Sequence, residues 1–212
     1  MFGPPGAGKG TQAANIIKNY NLYKVSTGDL LREEITNNTP LGKKIKTIID
    51  KGLLVPDDII NNLIEKVLSD KKISNRLIFD GYPRNINQAK KLDMLIEKFY
   101  LKISCVLSLE VNKDTIVKRV LGRQTCSNCG LIFNVHFNPA THKNHSCGEK
   151  FLQKRSDDNE KTITQRFETY LEKTLPILNF YKEINLLHQI NGMGKIDEIY
   201  KEIEGIIASL EA

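Results

Sequence analysis

Near its start the chain reads GPPGAGKGT, from Gly3 to Thr11. The spacing G-x-x-x-x-G-K sets Gly3, Gly8 and Lys9 in the register of a phosphate cradle. No other stretch restricts the fold as tightly. Backbone N–H groups must curl inward on an anion, and a helix must follow so that its positive N-terminal end faces the same anion. Glycine permits the curl. Lys9 carries a full charge toward the β and γ phosphates of a nucleotide. The hydroxyl that usually follows the lysine is displaced by one residue, since Gly10 comes first and Thr11 second. The plainer alternative is a glycine-rich turn at a chain end. A buried strand normally launches such a loop, yet only Met1 and Phe2 precede Gly3. The first strand therefore reads as truncated. Its neighbours are expected to leave backbone groups unpaired, at about 1–3 kcal/mol each if buried.

The remaining chain alternates strand and helix signals. TQAANIIKNY reads as the helix after the loop. YKVS, RLIFD, ISCVLSLEV and LLHQING are short apolar runs expected as strands. YKVS leads into STGDLLREEI, where Thr27 or Asp29 would cap a helix, and PDDIINNLIEKVL, NQAKKLDMLIEKF, NEKTITQRFETYLEKT and IDEIYKEIEGIIASL carry helical spacing. KDTIVKRVLGR is expected as one helix with Arg119 and Arg123 a turn apart on one face. The insert CSNCGLIFNVHFNPATHKNHSCGEKF breaks the pattern, and the alternation Leu131, Phe133, Val135, Phe137 predicts a half-buried strand there. The class is α/β, a parallel sheet covered by helices with a small β insert.

The net charge of +6 admits nucleic acid, a membrane surface or a phosphate-rich ligand as partner, but solvated lysines on helix faces account for it more simply. No apolar run spans a bilayer, and the start has no charged region followed by an apolar core. Cys126, Cys129 and Cys147 lie close in sequence while Cys105 sits alone in an apolar run, where it reads as a core residue. A disulfide framework is not expected.

GPPGAGKGT, STGDLLR, LIFDGYPRN, LGR and QKRSDDNEKTITQRF occur in this order. Together they closely resemble the adenylate kinase family of nucleoside monophosphate kinases, over nearly the full chain. The resemblance implies a single P-loop domain over 1–212, with a helical AMP-binding segment at 26–55 and an inserted lid at 122–159. It implies reversible phosphoryl transfer from ATP to AMP, with magnesium on the nucleotide. ATP would meet Gly6, Ala7, Gly8, Lys9, Gly10 and Thr11, with Arg123 and the base between Ile132 and Phe133. AMP would meet Thr27, Arg32, Leu53, Leu54, Val55, Gly81, Tyr82, Pro83, Arg84 and Gln88, with Arg155 and Arg166. Lys9, Arg84, Arg119, Arg123, Arg155 and Arg166 would carry catalysis. Asp80 would hold magnesium through water, or else cap a turn.

The resemblance extends to zinc-bearing lids. Cys126 and Cys129 form CxxC, and Cys147 follows after 17 intervening residues. The matching fourth position is Lys150, which is no ordinary zinc ligand. His145 stands first as its replacement and Glu149 second. Buried thiols without metal remain the alternative. GTP as donor, and an inactive zinc-lid module holding nucleic acid, are the competing functions. The expected partners are ATP, AMP and ADP, with no nucleic acid, no membrane and a monomeric state. The expected compartment is the cytoplasm, or the mitochondrion if a preceding segment has been lost.

Overall fold

The computed structural model describes residues 1–70, 73 and 76–211. The phosphate loop runs directly into α1 (Lys9–Tyr20), whose Ala13 and Ile16 are buried one turn apart. Gly8 occupies the helix N-cap at φ 100, a left-handed conformation that a side chain would strain. Strand β1 (Tyr23–Ser26) leads into α2 (Thr27–Thr36), α3 (Pro40–Asp50) and α4 (Asp57–Ser69). Strand β2 (Leu77–Asp80) and helix α5 (Ile86–Lys98) follow, then β3 (Val106–Glu110) and α6 (Lys113–Leu121). The insert contributes β4 (Arg123–Cys126), β5 (Ile132–Asn134) and β6 (Leu152–Gln153). The chain closes with α7 (Glu160–Thr169), a π-helical turn (Tyr170–Thr174), α8 (Leu175–Glu183), β7 (Leu187–Asn191) and α9 (Ile196–Glu211).

The core holds two parallel strand pairs. β1 lies beside β2 with Tyr23 opposite Leu77, and β3 beside β7 with Val106 opposite Leu187. Met1 and Phe2 stand between the pairs. The Phe2 N–H donates to Leu107 O at 2.7 Å, Leu109 N–H donates to Phe2 O at 3.0 Å, and the Met1 nitrogen donates to Phe79 O at 2.7 Å. Phe2 thus forms one parallel bridge to Ser108 in the position of the expected strand. An apolar cavity of about 400 Å³ opens alongside, lined by Phe79, Tyr82, Cys105 and Leu107 among others. Helices α1 and α9 pack around Ile190, Leu107 and Leu109, while α5 and α8 pack with Phe2, Val106 and Tyr181. A second core forms where α2, α3, α4 and α5 bury Leu31, Ile45, Ile60, Ile64 and Leu92. Each such side chain contributes about 1.5–3 kcal/mol.

Several sequence expectations change. Ser26, not Thr27 or Asp29, caps α2: its hydroxyl accepts from Asp29 N–H at 3.3 Å, while the Thr27 hydroxyl is committed as a donor to Gly81 O at 2.8 Å. Arg119 and Arg123 do not share a helix face. The insert ends α6 first, because Asn134 Nδ2 donates to Arg119 O at 2.7 Å and Val135 N–H to Gly122 O at 2.9 Å, so Arg123 opens β4. The alternation of the insert holds at Phe133 alone. Asn134 pairs with Asn138 and folds the chain back, leaving Leu131, Val135 and Phe137 exposed. ISCVLSLEV is a strand only from Val106. Helix α3 was not foreseen; Thr39 caps it by accepting from Gly42 N–H at 2.8 Å. A Cβ on Gly42 would sit 2.1 Å from Glu34 O, so α2 and α3 cross there only because the residue is glycine.

Candidate active site

Two cavities meet beneath the phosphate loop. The larger, about 560 Å³, is lined by Gly6, Ala7, Gly8, Lys9, Gly10 and Thr11 on one side. Arg119, Arg123 and Arg155 line it with Ile132, Phe133 and Phe137 of the insert. The smaller, about 120 Å³, is lined by Thr27, Leu31, Leu53, Leu54, Val55, Gly81, Pro83 and Gln88. Lys9, Arg32, Arg84 and Arg166 belong to both walls. Four cations therefore stand at the junction of two chambers.

These cations are under electrostatic stress. Burial, with repulsion from Arg84, Arg166 and Arg123 against the attraction of Asp80, brings Lys9 down to about 8. Lys9 Nζ donates to Gly3 O at 2.6 Å and Pro4 O at 3.0 Å, so two carbonyl groups of the loop itself hold the ammonium group. Burial, then Arg166, pulls Arg84 down to about 10, and burial, then Arg123 and Arg32, pulls Arg155 down to about 9. Burial lowers Arg119 and Arg166 as well. Aspartates offset part of this charge: Asp80 attracts Lys9, Asp29 accepts from Arg32 Nη2, and two more grip arginines directly. Asp158 accepts both guanidinium arms of Arg123, from Nε at 2.8 Å and from Nη2, and Asp157 accepts from Arg166 Nη1 at 2.5 Å. A crowd of desolvated cations with few counter-charges is a site built for a polyanion.

The smaller chamber is braced by hydrogen bonds. Gln88 is buried; its Oε1 accepts from Arg84 N–H at 2.8 Å and its Nε2 donates to Asp57 Oδ1 at 2.8 Å. Arg84 Nε donates to Gly81 O at 2.7 Å. The π-helical turn brings Thr174 round so that its hydroxyl donates to Arg84 O at 2.7 Å.

Over the larger chamber, β4 pairs antiparallel with β5 and β6. Ile132 reaches the loop, its Cδ1 lying 3.2 Å from where a Cβ on Gly10 would be. The Arg119 guanidinium sits 5.5 Å from the Phe137 ring centre. At the far end, ligand atoms of Cys126, Cys129, His145 and Cys147 all lie within 4.8 Å of one another. His145 Nε2 is buried with no hydrogen-bond partner. Cys126 Sγ accepts from Cys129 N–H at 3.4 Å and Cys147 Sγ from Asn128 Nδ2 at 3.3 Å. Burial pushes the Cys126 thiol up, but the Cys129 N–H, His145 and Asn128 N–H together outweigh it and bring it down to about 6.

The Adenylate kinase family model matches residues 1–186. An adenylate kinase of Pelagibacter ubique is 43% identical over 207 residues, covering 98% of this chain and 97% of its own length. One from Alkaliphilus oremlandii is 40% identical over 96% and 94%, and one from Archaeoglobus fulgidus 37% identical over 100% and 98%.

The chain belongs to the adenylate kinase family.

Most residues expected to touch nucleotide in this kinase line the two chambers. Two fall elsewhere. Tyr82 is buried behind the smaller chamber, its hydroxyl donating to Asn61 Oδ1 at 2.8 Å and to Gln88 O at 3.2 Å. Arg155 faces only the larger chamber. Glu149 is outside the thiol cluster, which takes His145. Asp57, Thr174 and Phe137 were not anticipated. Asp57 is the first residue of α4, and nothing local announces its grip on Gln88, 31 residues away. Among the described residues no helix is long and apolar enough to cross a membrane.

Proposed function

We propose that the chain transfers the γ-phosphoryl group of ATP to AMP and back, giving two ADP. The observation that carries this is the junction: two chambers of unequal size share a wall of Lys9, Arg32, Arg84 and Arg166. A triphosphate fits the larger chamber, with its γ-phosphate at that wall, and a monophosphate fits the smaller. In the reaction, the bond from the γ phosphorus to the β–γ bridging oxygen breaks and a bond to an AMP phosphate oxygen forms. The acceptor is already an anion, so no strong base is required. Alignment and charge stabilisation carry the rate.

Each residue then has a task. The loop N–H groups from Gly6 to Thr11 cradle the β phosphate, and Lys9 bridges to the γ. Arg123, Arg155 and Arg119 hold the donor phosphates, while Arg84, Arg32 and Arg166 hold the acceptor and follow the moving group. Ile132 and Phe133 flank the donor base. Thr27, Leu53, Leu54, Val55, Gly81 and Pro83 enclose AMP, and Gln88 reads its base. Segment 26–55 acts as the acceptor-binding unit and 122–159 as a lid that excludes water, a competing acceptor.

Magnesium supplies charge neutralisation on the nucleotide. The Thr11 hydroxyl and Asp80 carboxylate, both on the donor chamber wall, are hard oxygen donors suited to it or to its waters. The Cys126, Cys129, Cys147 and His145 cluster fits structural zinc. Its ligand atoms are close enough for one tetrahedral ion, and the unpartnered His145 nitrogen supplies the fourth position. Thiolate ligands suit a reducing compartment, which we take to be the cytoplasm. All substrates reach a single chain, so we assign a monomer.

A coupled assay of ADP formation tests the function. ATP with AMP is expected to turn over fastest. Equal turnover with GTP would move the donor assignment, and none with any donor would leave a binding module.

A further inference from the structure

The Gln88 side chain is clamped by two partners of opposite chemistry. The Arg84 backbone N–H is only a donor, so the amide oxygen must face it. The Asp57 carboxylate is only an acceptor, so the amide nitrogen must face it. The contacts are 2.8 Å each. Rotating the amide by a half turn would set a carbonyl oxygen against a carboxylate and an NH2 group against an N–H. Asp57 is itself held, since its Oδ1 also accepts from Asn85 Nδ2 at 2.8 Å, and Asn85 caps α5 by accepting from Gln88 N–H at 2.9 Å. Asp57 lines neither chamber, so its effect on a bound base must pass through Gln88.

An amide has two N–H groups and two lone pairs on its oxygen. Asp57 takes one N–H and Arg84 takes one lone pair. What remains facing the small chamber is one donor beside one acceptor, in a fixed order. Adenine offers the complement: N1 accepts and the 6-amino group donates. Guanine offers the reverse, with N1–H donating and O6 accepting. A freely turning glutamine would serve both bases equally by flipping.

We propose that Asp57 is the positioning residue that sets the acceptor-base specificity, by locking the Gln88 amide in the orientation that reads adenine and refuses guanine. This rests on the reading of Gln88 as the residue that meets the acceptor base. The competing account makes Asp57 a helix anchor only. It is the first residue of α4, where a carboxylate favours the positive end.

The test compares kcat/KM for AMP and GMP, at fixed saturating ATP, in the full chain and in two variants. Asp57→Asn nearly keeps shape but accepts either amide orientation. It is expected to raise the GMP-to-AMP ratio about tenfold, the scale of one relieved unfavourable polar contact. The KM for ATP should stay within about twofold, since Asp57 is remote from the donor chamber. A lower melting temperature with an unchanged ratio would reduce Asp57 to an anchor and overturn the proposal. Should Asp57→Asn not fold, Asp57→Ser retains a small polar group at the helix start and is read in the same way. Gln88→Ala separates the two layers. If it leaves the ratio unchanged, the reading of Gln88 fails and the lock with it. If it raises the ratio while both Asp57 variants do not, Gln88 reads the base but the lock alone is wrong.

Discussion

The two chambers recognise their contents by different physics. The smaller one is finished before anything enters it: Gln88 is bonded at both ends, Thr27 and Arg84 both donate to the Gly81 carbonyl, and Thr174 anchors the Arg84 backbone. The larger is roomy and held apart by charge, with buried cations facing one another and Asp157 and Asp158 as their partial counter-ions. Fixed hydrogen-bonding groups discriminate shape and edge, because a wrong partner leaves buried polar groups unpaired. Clustered charge gives strong attraction but reads only the phosphates. The contrast implies an enzyme strict about its acceptor and dependent on electrostatics for its donor. Four measurements break or sharpen it, taken from the largest effect to the smallest.

Replacing Lys9 by Met removes the one charge common to both chambers that sits in the loop itself. Turnover is expected to fall by about 10³-fold, roughly 4 kcal/mol of transition-state stabilisation. The melting temperature should not fall, since a buried ammonium held by two carbonyls is replaced by an apolar chain of similar length. Near-normal turnover would remove Lys9 from the reaction.

Arg123→Lys keeps the charge and loses the fork. In the free protein Arg123 grips Asp158 with two arms, and a lysine can make only one such contact. We expect kcat/KM for ATP to fall about 10- to 100-fold, with the KM for AMP within about twofold. An equal rise in both KM values would show that the chambers are not independent, and the comparison would fail there.

How much of this was visible in the sequence follows the same divide. The loop was legible because Gly8 and Lys9 must occupy fixed local positions. The cationic wall was legible only through the resemblance to the family, since any one of its arginines reads as readily as a surface ion pair. The thiol pair 126/129 was legible from its spacing. What escaped were long-range hydrogen bonds. Thr174 meets Arg84 across 90 residues, and only the fold brings them together. Helix α3 escaped because its stop and start depend on Thr39 and on the close crossing at Gly42. Arg123 was assigned to a helix because no local pattern shows that Asn134 will take up the last carbonyl groups of α6.

The metal cluster tests whether the donor chamber is shaped by the β insert. Protein purified without added metal, under reducing conditions, is expected to hold near one equivalent of zinc; less than about a tenth would leave the insert held by apolar packing alone. Removing zinc with a chelator, or substituting Cys129→Ser, is expected to raise the KM for ATP several-fold, because His145 packs on Phe133 with ring centres 4.8 Å apart and Phe133 lines the chamber. The KM for AMP should not move. A change in AMP alone would contradict the assignment of the insert to the donor side.

The effect that is smallest near neutrality, and grows only above it, is a matter of pH. Lys9 is brought down to about 8 in the free protein, by burial first and then by neighbouring arginines against Asp80. The charged form binds phosphate, and it is lost as pH rises through that value. The kcat/KM for ATP, which reports the free enzyme, should therefore be halved near pH 8 and fall about tenfold per unit above it. Bound phosphates add negative charge next to the ammonium group and raise its pKa again, so kcat itself should stay level to higher pH. The AMP base has no part in this titration. The GMP-to-AMP preference should stay flat until the pH at which guanine N1–H itself ionises, because Gln88 is held by hydrogen bonds to Arg84 and Asp57 rather than by Lys9. A donor profile level to pH 9.5 would mean that Lys9 keeps its proton despite burial, with the Asp80 attraction stronger than the repulsion of the three arginines.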